Sequence, residues 1–424
     1  MPAAATFTWH LASAFLEGAW DTSAIFARGA SCLGERPSWL LPLVGNVLTA
    51  FPEGEHRPDV EALASFIRRD RAFRQGTERV FRGALAMSPG RWPIPALPSP
   101  PALAEWLGLT LGELDWFADC QGRRVNAPLG PLHHYSYRWV AKRGGRWRLL
   151  EMPKQRLKAI QRRLLDELLD RIPPHEAAHA YRRGRSVRTY AAPHADQAVV
   201  LRFDLHDFFP SVRAARAHAV FRAAGYPAPV ARLLTGLCTN VAPAEVREPV
   251  PRAGSVVYAE AHLPQGAPTS PALANLCAYR LDCRLAALAA SLGAAYTRYA
   301  DDLAFSGGEA LERGARRFQV LVCRLALEEG FEVHTRKSRF MRRGVRQQLA
   351  GVVVNERTNV KRADYDRLKA ILWNCARGGP ASQNREGRGD FRAHLLGRIA
   401  YVGLLNPARA AKLRRVFDRI AWDQ

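Results

Sequence analysis

The sequence predicts an α+β fold: a small antiparallel sheet carried among helices, with a further helical segment ahead of it. Three observations predict it. The run Tyr296-Thr297-Arg298-Tyr299-Ala300-Asp301-Asp302-Leu303-Ala304-Phe305-Ser306-Gly307 sets two short apolar, aromatic stretches on either side of an Asp-Asp pair. That is the pattern of a β-hairpin with acids at its tip. The run Ala198-Val199-Val200-Leu201-Arg202-Phe203-Asp204 is apolar and β-branched and ends in an acid, the pattern of a strand buried on at least one face. Elsewhere leucines recur at helical spacing, as at Leu157, Ile160, Leu164, Leu165, Leu168 and Leu169.

The acids carry the chemistry. Adjacent like charges repel, and an Asp-Asp turn by itself is an ordinary solvated turn. A carboxylate at the end of a buried strand is costly unless it is paired or binds metal. If the two stretches lie side by side, Asp204, Asp301 and Asp302 converge. Three carboxylates there could hold two Mg²⁺, since hard cations take oxygen ligands, and such a clamp serves in-line displacement at phosphorus.

At these residues the chain resembles the bacterial retron-type reverse transcriptases. Tyr299-Ala300-Asp301-Asp302 matches the polymerase signature, and Asp204 with Phe208-Phe209-Pro210-Ser211 matches the first acidic motif. The run Leu263-Pro264-Gln265-Gly266-Ala267-Pro268-Thr269-Ser270-Pro271 matches a third box, worded more like retron than group II intron enzymes. The resemblance extends from about Pro101 to the C-terminus. It implies a right-hand polymerase with fingers, an antiparallel-sheet palm and a helical thumb, preceded by a helical extension.

Composition points the same way. The 424 residues suffice for two or three domains, and a hydrophobic content of 48% excludes wholesale disorder. A net charge of +23 calls for a polyanionic partner, of which nucleic acid is the usual one. The seven cysteines include no Cys-x-x-Cys pair, which argues against zinc and for reduced thiols in a cytoplasmic protein. The N-terminus lacks the pattern of a secretion signal. The longest apolar run, Trp39 to Phe51, is too short and too broken by Pro42 and Gly45 to span a bilayer, so no membrane partner is expected.

In chain order, residues 1–87 are expected to form a helical extension of unknown role. Glu61 to Phe81 reads as one or two basic amphipathic helices. A Pro-rich linker occupies residues 88–101. Fingers and palm are expected over 102–355 and the thumb over 356–424. Leu103 to Phe117 reads as a helix, and Tyr137 to Leu150 as a hairpin turning at Gly144-Gly145. The resemblance places Lys142 and Arg148 of that hairpin on the incoming triphosphate, a role that suits cations able to face several phosphate oxygens. Lys154 to Asp170 reads as a helix stopped by Pro173-Pro174.

The basic stretch His179 to Thr189, with Arg185, resembles a template-side segment. The retron Asn-Ala-x-x-His motif is present as Tyr190-Ala191-Ala192-Pro193-His194, with Tyr in place of Asn, and implies an RNA contact at His194. Phe209 matches an aromatic that excludes ribonucleotides by crowding the 2′ position, and Gln265 a contact to the nucleotide. Ser270-Pro271 reads as a capped helix start, with Leu273 to Leu288 lining one face. Leu311 to Glu329 reads as a helix and Phe331 to His334 as a strand. Lys337 falls where the family has a lysine near the phosphates. Gln348 to Asn355 reads as β-rich, a diverged match to a retron box. Arg377 to Asp390 reads as a Gly-rich mobile loop. In the thumb, Arg398, Arg414 and Arg415 fall on the polar side of apolar helices, placed to grip a duplex through its phosphates.

The expectation is RNA-templated DNA synthesis. The two Mg²⁺ are expected on Asp204, Asp301 and the Leu205 carbonyl, with Asp302 supporting the geometry. Retron resemblance implies a cognate non-coding RNA as template and primer, a branched RNA–DNA product made from deoxynucleoside triphosphates, a role in phage defence, and possible work with a neighbouring effector protein. The alternatives are an intron-type enzyme, a template-independent polymerase of the abortive-infection type, and a non-catalytic RNA-binding scaffold.

Overall fold

The computed structural model describes residues 2–33, 36, 38–52, 57–75, 92–123, 129–142, 146–248 and 255–422. The chain divides into two compact units, Met1–Pro173 with Phe209–Cys277, and Pro174–Phe208 with Ala278–Gln424.

The first unit opens with helices at Pro2–Phe15, Thr22–Leu33, Leu40–Ala50 and Val60–Arg69. The last of these shows why such a basic segment is helical. Asp59 caps it by accepting from the Ala62 N–H at 2.7 Å, Glu61 sits in the first turn, and Arg68 and Arg69 sit in the last. Each charge complements the helix dipole, while Val60, Leu63, Ala64 and Ile67 are buried. The helix ends at Asp70 and a short one follows at Arg71–Gln75; the rest of the expected basic stretch, with Arg79 and residues 88–91 of the linker, lies outside the described residues.

Leu103 to Phe117 is two helices rather than one, Pro100–Leu107 and Leu111–Ala118. Gly108 closes the first with a φ of 70°, and a Thr110–Glu113 capping box opens the second. Strands β1 (Tyr135–Lys142) and β2 (Arg146–Pro153) pair antiparallel, with Tyr137 opposite Glu151 and Trp139 opposite Leu149. The glycine turn, residues 143–145, lies outside the described residues. The next helix, Gln155–Glu167, stops before the two prolines and gives way to a 3₁₀ turn at Leu169–Arg171. Helices at Ala214–Ala223, Ala228–Cys238 and Ser270–Cys277 follow in the same unit. Ser270 does not cap the last of these. It lies inside the helix, and its hydroxyl donates to the Pro264 carbonyl at 2.7 Å. The apolar stripe running to Leu288 is broken at Ala278.

The second unit holds a four-stranded antiparallel sheet of β3 (Val199–Asp204), β4 (Ala295–Tyr299), β5 (Asp302–Gly307) and β6 (Arg339–Arg342), in the order β4-β5-β3-β6. Helix Glu309–Glu328 packs on β3 and β5, burying Leu311, Phe318, Val322 and Ala326. Phe305 is the hub of that layer, stacked on Tyr296 at 4.7 Å and edge-on to Phe318 at 4.9 Å. The expected strand at Phe331–His334 is reduced to a single bridge between Leu205 and Val333.

The β-rich stretch near Gly351 is a minimal hairpin of β7 (Gln348–Leu349) and β8 (Val352–Val353). Ala350 and Gly351 both have positive φ, as a two-residue type I′ loop requires. The helices Arg362–Gly378, Phe391–Leu405 and Pro407–Phe417 bring Leu368, Leu372, Leu395, Ile399, Leu413 and Phe417 to the same core as Val200, Ala304 and Met341 of the sheet. The expected Gly-rich loop overlaps the end of the first of these helices and contains a 3₁₀ turn at Pro380–Ser382. All seven cysteines are free thiols, and no helix among the described residues is long and apolar enough to cross a membrane.

Candidate active site

Strand β3 lies between β5 and β6, and its last residue, Asp204, stands directly opposite Asp302. Residues opposed in an antiparallel ladder share one face of the sheet. One step beyond, the Leu205 N–H donates to the Asp301 carbonyl at 2.8 Å, so the end of β3 is stitched to the tip of the β4–β5 hairpin. Ala300 and Asp301 form that tip, and Ala300 has a φ of 57°. A side chain in this region is unfavourable, and such strain concentrates at functional sites.

The tip is anchored from below. Arg298 and Asp282 are both fully buried and meet fork to fork, Nε to Oδ1 at 2.7 Å and Nη2 to Oδ2 at 2.6 Å. Tyr296 donates to the same carboxylate at 2.7 Å, and Arg298 Nη1 donates to the Ala300 carbonyl at 3.2 Å. The peptide that carries the acids is thus tied to the helix Tyr279–Ala290.

Each of the two opposed carboxylates has a cation. Lys337 Nζ donates to Asp204 Oδ1 at 2.5 Å, and Arg202 donates to Asp302 Oδ1 from Nε at 2.9 Å and Nη2 at 2.5 Å. Burial pushes the Asp302 carboxyl up to about 6, with Arg202 opposing the shift and the charges of Asp301 and Asp204 adding to it. Among the described residues no three His, Cys, Asp or Glu side chains form a ready-made metal cage. The donor chemistry nonetheless fits a hard divalent cation. Crowded carboxylate oxygens that already draw in two cationic side chains are the ligands such an ion takes.

In the first unit, Arg148 lies on β2 and its Nε is buried with no hydrogen-bond partner among the described residues. Lys142 is the last residue of β1, paired with Arg146; its side chain lies outside the described residues. Gln265 is half-buried, and its carbonyl accepts from the Glu151 N–H at 2.9 Å. Phe209 is half-buried, whereas Phe208 is buried and stacked on Phe331 at 5.7 Å.

The template-side residues divide. Arg185 is drawn to Glu176 at 2.5 Å. Arg398 lines a groove of about 580 Å³ with Lys361, His394 and Tyr401. Arg415 is exposed, and Arg414 is exposed and paired with Asp418 at 2.8 Å. His194 is a correction. It is fully buried, with Nδ1 2.7 Å from Ser306 Oγ and Nε2 2.7 Å from Thr297 Oγ1. A ring with both nitrogens satisfied inside the core has nothing to offer RNA.

The sequence profile described as Reverse transcriptase (RNA-dependent DNA polymerase) matches residues 140–365. The retron Mx65 reverse transcriptase of Myxococcus xanthus is 42% identical over 334 residues, covering 77% of this chain and 72% of that protein. The chain belongs to the reverse transcriptase family, in its retron branch. The retron Mx162 reverse transcriptase of the same organism is 38% identical over 327 residues, 74% of this chain and 65% of that protein. A solved foamy viral protease-reverse transcriptase in complex with double-stranded DNA overlaps with a TM-score of 0.32 at 14% identity, over 72% of this chain and 47% of that one. So loose an overlap carries no weight here. The α+β polymerase fold and RNA-directed DNA polymerase activity follow from the family.

Several residues that shape the site of this reverse transcriptase escape a reading by motif. Arg202 is a charge inside an apolar strand, two positions before Asp204 and so on the same face, a signal the period of two could have exposed. Arg298 and Asp282 leave no comparable trace, because a helix position and a strand position 16 residues apart meet only in the fold.

Proposed function

We propose that this reverse transcriptase makes single-stranded DNA joined to its own structured non-coding RNA, which serves as both template and primer, a reading that extends its place in the retron branch. The reading extends to phage defence and to a possible neighbouring effector protein. The observation that carries it is the juxtaposition at one end of the sheet, where Asp204 faces Asp302 and Leu205 is bonded to Asp301.

Asp204, Asp301 and the Leu205 carbonyl are the residues that would hold two Mg²⁺. Ions bound there supply charge stabilisation and a more acidic primer hydroxyl. Asp302, committed to Arg202, shapes the site rather than ligating. Lys337, which donates to Asp204, would also offer its ammonium to the nucleotide phosphates. Lys142, Arg148 and Gln265 position the deoxynucleoside triphosphate, and the unpartnered Arg148 Nε supports that role because a buried donor without an acceptor is costly unless a ligand completes it. Phe209 screens the sugar. Arg185, Arg398, Arg414 and Arg415 contact RNA or duplex phosphates.

Sequencing the nucleic acid that co-purifies with the protein tests the reading. A short DNA covalently joined to a structured RNA is the expected result. Random-sequence DNA would point to template-independent synthesis, and RNA without DNA to a binding scaffold.

A further inference from the structure

Glu151 lies in β2, fully buried, in a hairpin that is otherwise basic and apolar. A carboxylate so placed must be compensated. Its Oε2 is 2.8 Å from His262 Nε2, and its Oε1 accepts from Asn240 Nδ2 at 2.9 Å. His262 Nδ1 lies 2.8 Å from the Glu260 carbonyl, so both ring nitrogens face oxygen atoms. Asn240 also donates to the Tyr137 hydroxyl at 3.1 Å, and Tyr137 is the cross-strand partner of Glu151. The main chains of Asn240 and His262 exchange two hydrogen bonds of 3.0 Å.

The same peptide touches the Gln265 loop directly. The Glu151 N–H donates to the Gln265 carbonyl at 2.9 Å. Gly266 has a φ of 135°, and a Cβ there would stand 2.8 Å from the Glu151 carbonyl oxygen. Backbone lies flush on backbone, which only glycine permits. Glu151 therefore joins the hairpin that bears Arg148 to the loop that bears Gln265, through side chain and main chain at once.

We propose that Glu151 is a positioning residue. Through His262, Asn240 and its own peptide it locks the Gln265-Gly266 loop to the β1–β2 hairpin, so that Gln265 and Arg148 meet the incoming deoxynucleoside triphosphate as one rigid frame. The inference rests on the nucleotide-binding reading of Gln265 and Arg148. An apolar side chain would fill the space without aligning the loop. A hydrogen-bonded carboxylate fixes direction as well as distance.

The test uses the full chain with Glu151→Gln, which keeps the shape but turns an amide donor toward one of the two donors. The KM for the deoxynucleoside triphosphate should rise about tenfold, the loss of one charge-assisted hydrogen bond. The kcat should hold. Amide hydrogen exchange over residues 263–267 should quicken while exchange in the helix Gln155–Glu167 stays unchanged. In a Gln265→Ala background, Glu151→Gln should add little, because both act through one contact. Asn240→Leu, which removes the bonds to Glu151 and Tyr137 but leaves the carboxylate on His262, serves in its place if Glu151→Gln does not fold.

Unchanged KM with unchanged exchange overturns the proposal. So does a KM effect that multiplies in full on Gln265→Ala, which would place the action of Glu151 elsewhere. If Gln265→Ala itself leaves KM unaltered, the nucleotide role of Gln265 fails. The exchange measurement then still decides whether Glu151 holds the loop.

Discussion

Arg202 and Asp302 meet diagonally across the β3–β5 ladder, the guanidinium donating twice to one carboxylate oxygen. Asp302 stands opposite Asp204 but faces Arg202, so one of the three acids is neutralised from within the sheet. Arg202→Met should leave that largely buried carboxylate uncompensated and cost about 1–3 kcal/mol of stability. Arg202→Lys should recover part of the loss. Urea denaturation at neutral pH measures both, and a variant as stable as the parent would show that the pair holds nothing in place.

Asp301→Asn and Asp204→Asn each remove an oxygen anion from the end of β3 or the hairpin tip. Primer extension should fall by roughly 10³ or more, several kcal/mol of transition-state stabilisation. RNA binding, measured by filter retention, should persist, because the residues proposed to contact phosphates lie elsewhere in the sequence. Retained synthesis in either variant would remove that residue from the metal site.

Phe209→Val should admit ribonucleotides. A ring that crowds the 2′ position discriminates by contact, and trimming it should raise ribonucleotide incorporation about 10–100-fold. Competition between a deoxynucleotide and its ribonucleotide in one extension assay reads the ratio directly. An unchanged ratio would make Phe209 a packing residue.

His194 predicts a pH dependence of stability. Burial is the main cause holding its ring down to about 3, against an ordinary value near 6.5, with His179 adding to the shift. Between these values the unfolded chain takes up a proton that the folded chain refuses. The contribution is therefore complete above pH 6.5 and is lost as pH falls, by about 1.4 kcal/mol per pH unit. Urea midpoints at pH 7.5 and 5.5 should differ more for the parent than for His194→Gln, which has no group titrating there. Equal differences would mean that the ring is protonated in the fold.

Much of the architecture is legible in the sequence because it is local. The apolar, β-branched run Val199–Asp204 and the Asp-Asp hairpin reveal the strands, and leucine spacing reveals the helices. Where the reading overshot, short-range chemistry intervened. Gly108 and the Thr110 capping box cut one expected helix in two. Ser270 gave its hydroxyl to Pro264 rather than to its own helix. The misplacement of His194 has another origin. A histidine in a family motif says nothing of which groups will surround it, and here Ser306 and Thr297 arrive from strands more than 100 residues away.

By itself the sequence determined that Val199–Asp204 and the two arms of the Asp301-Asp302 hairpin are strands, where their acids stand and that the chain is strongly basic, since each of these depends on composition or on residues a few positions apart. Tertiary structure alone decided that Asp302 answers to Arg202, that His194 is core, and that Glu151 ties Gln265 to the hairpin. Those pairings join groups about 90 to 115 residues apart, and hydrogen-bond geometry at that separation is fixed only when the chain has closed.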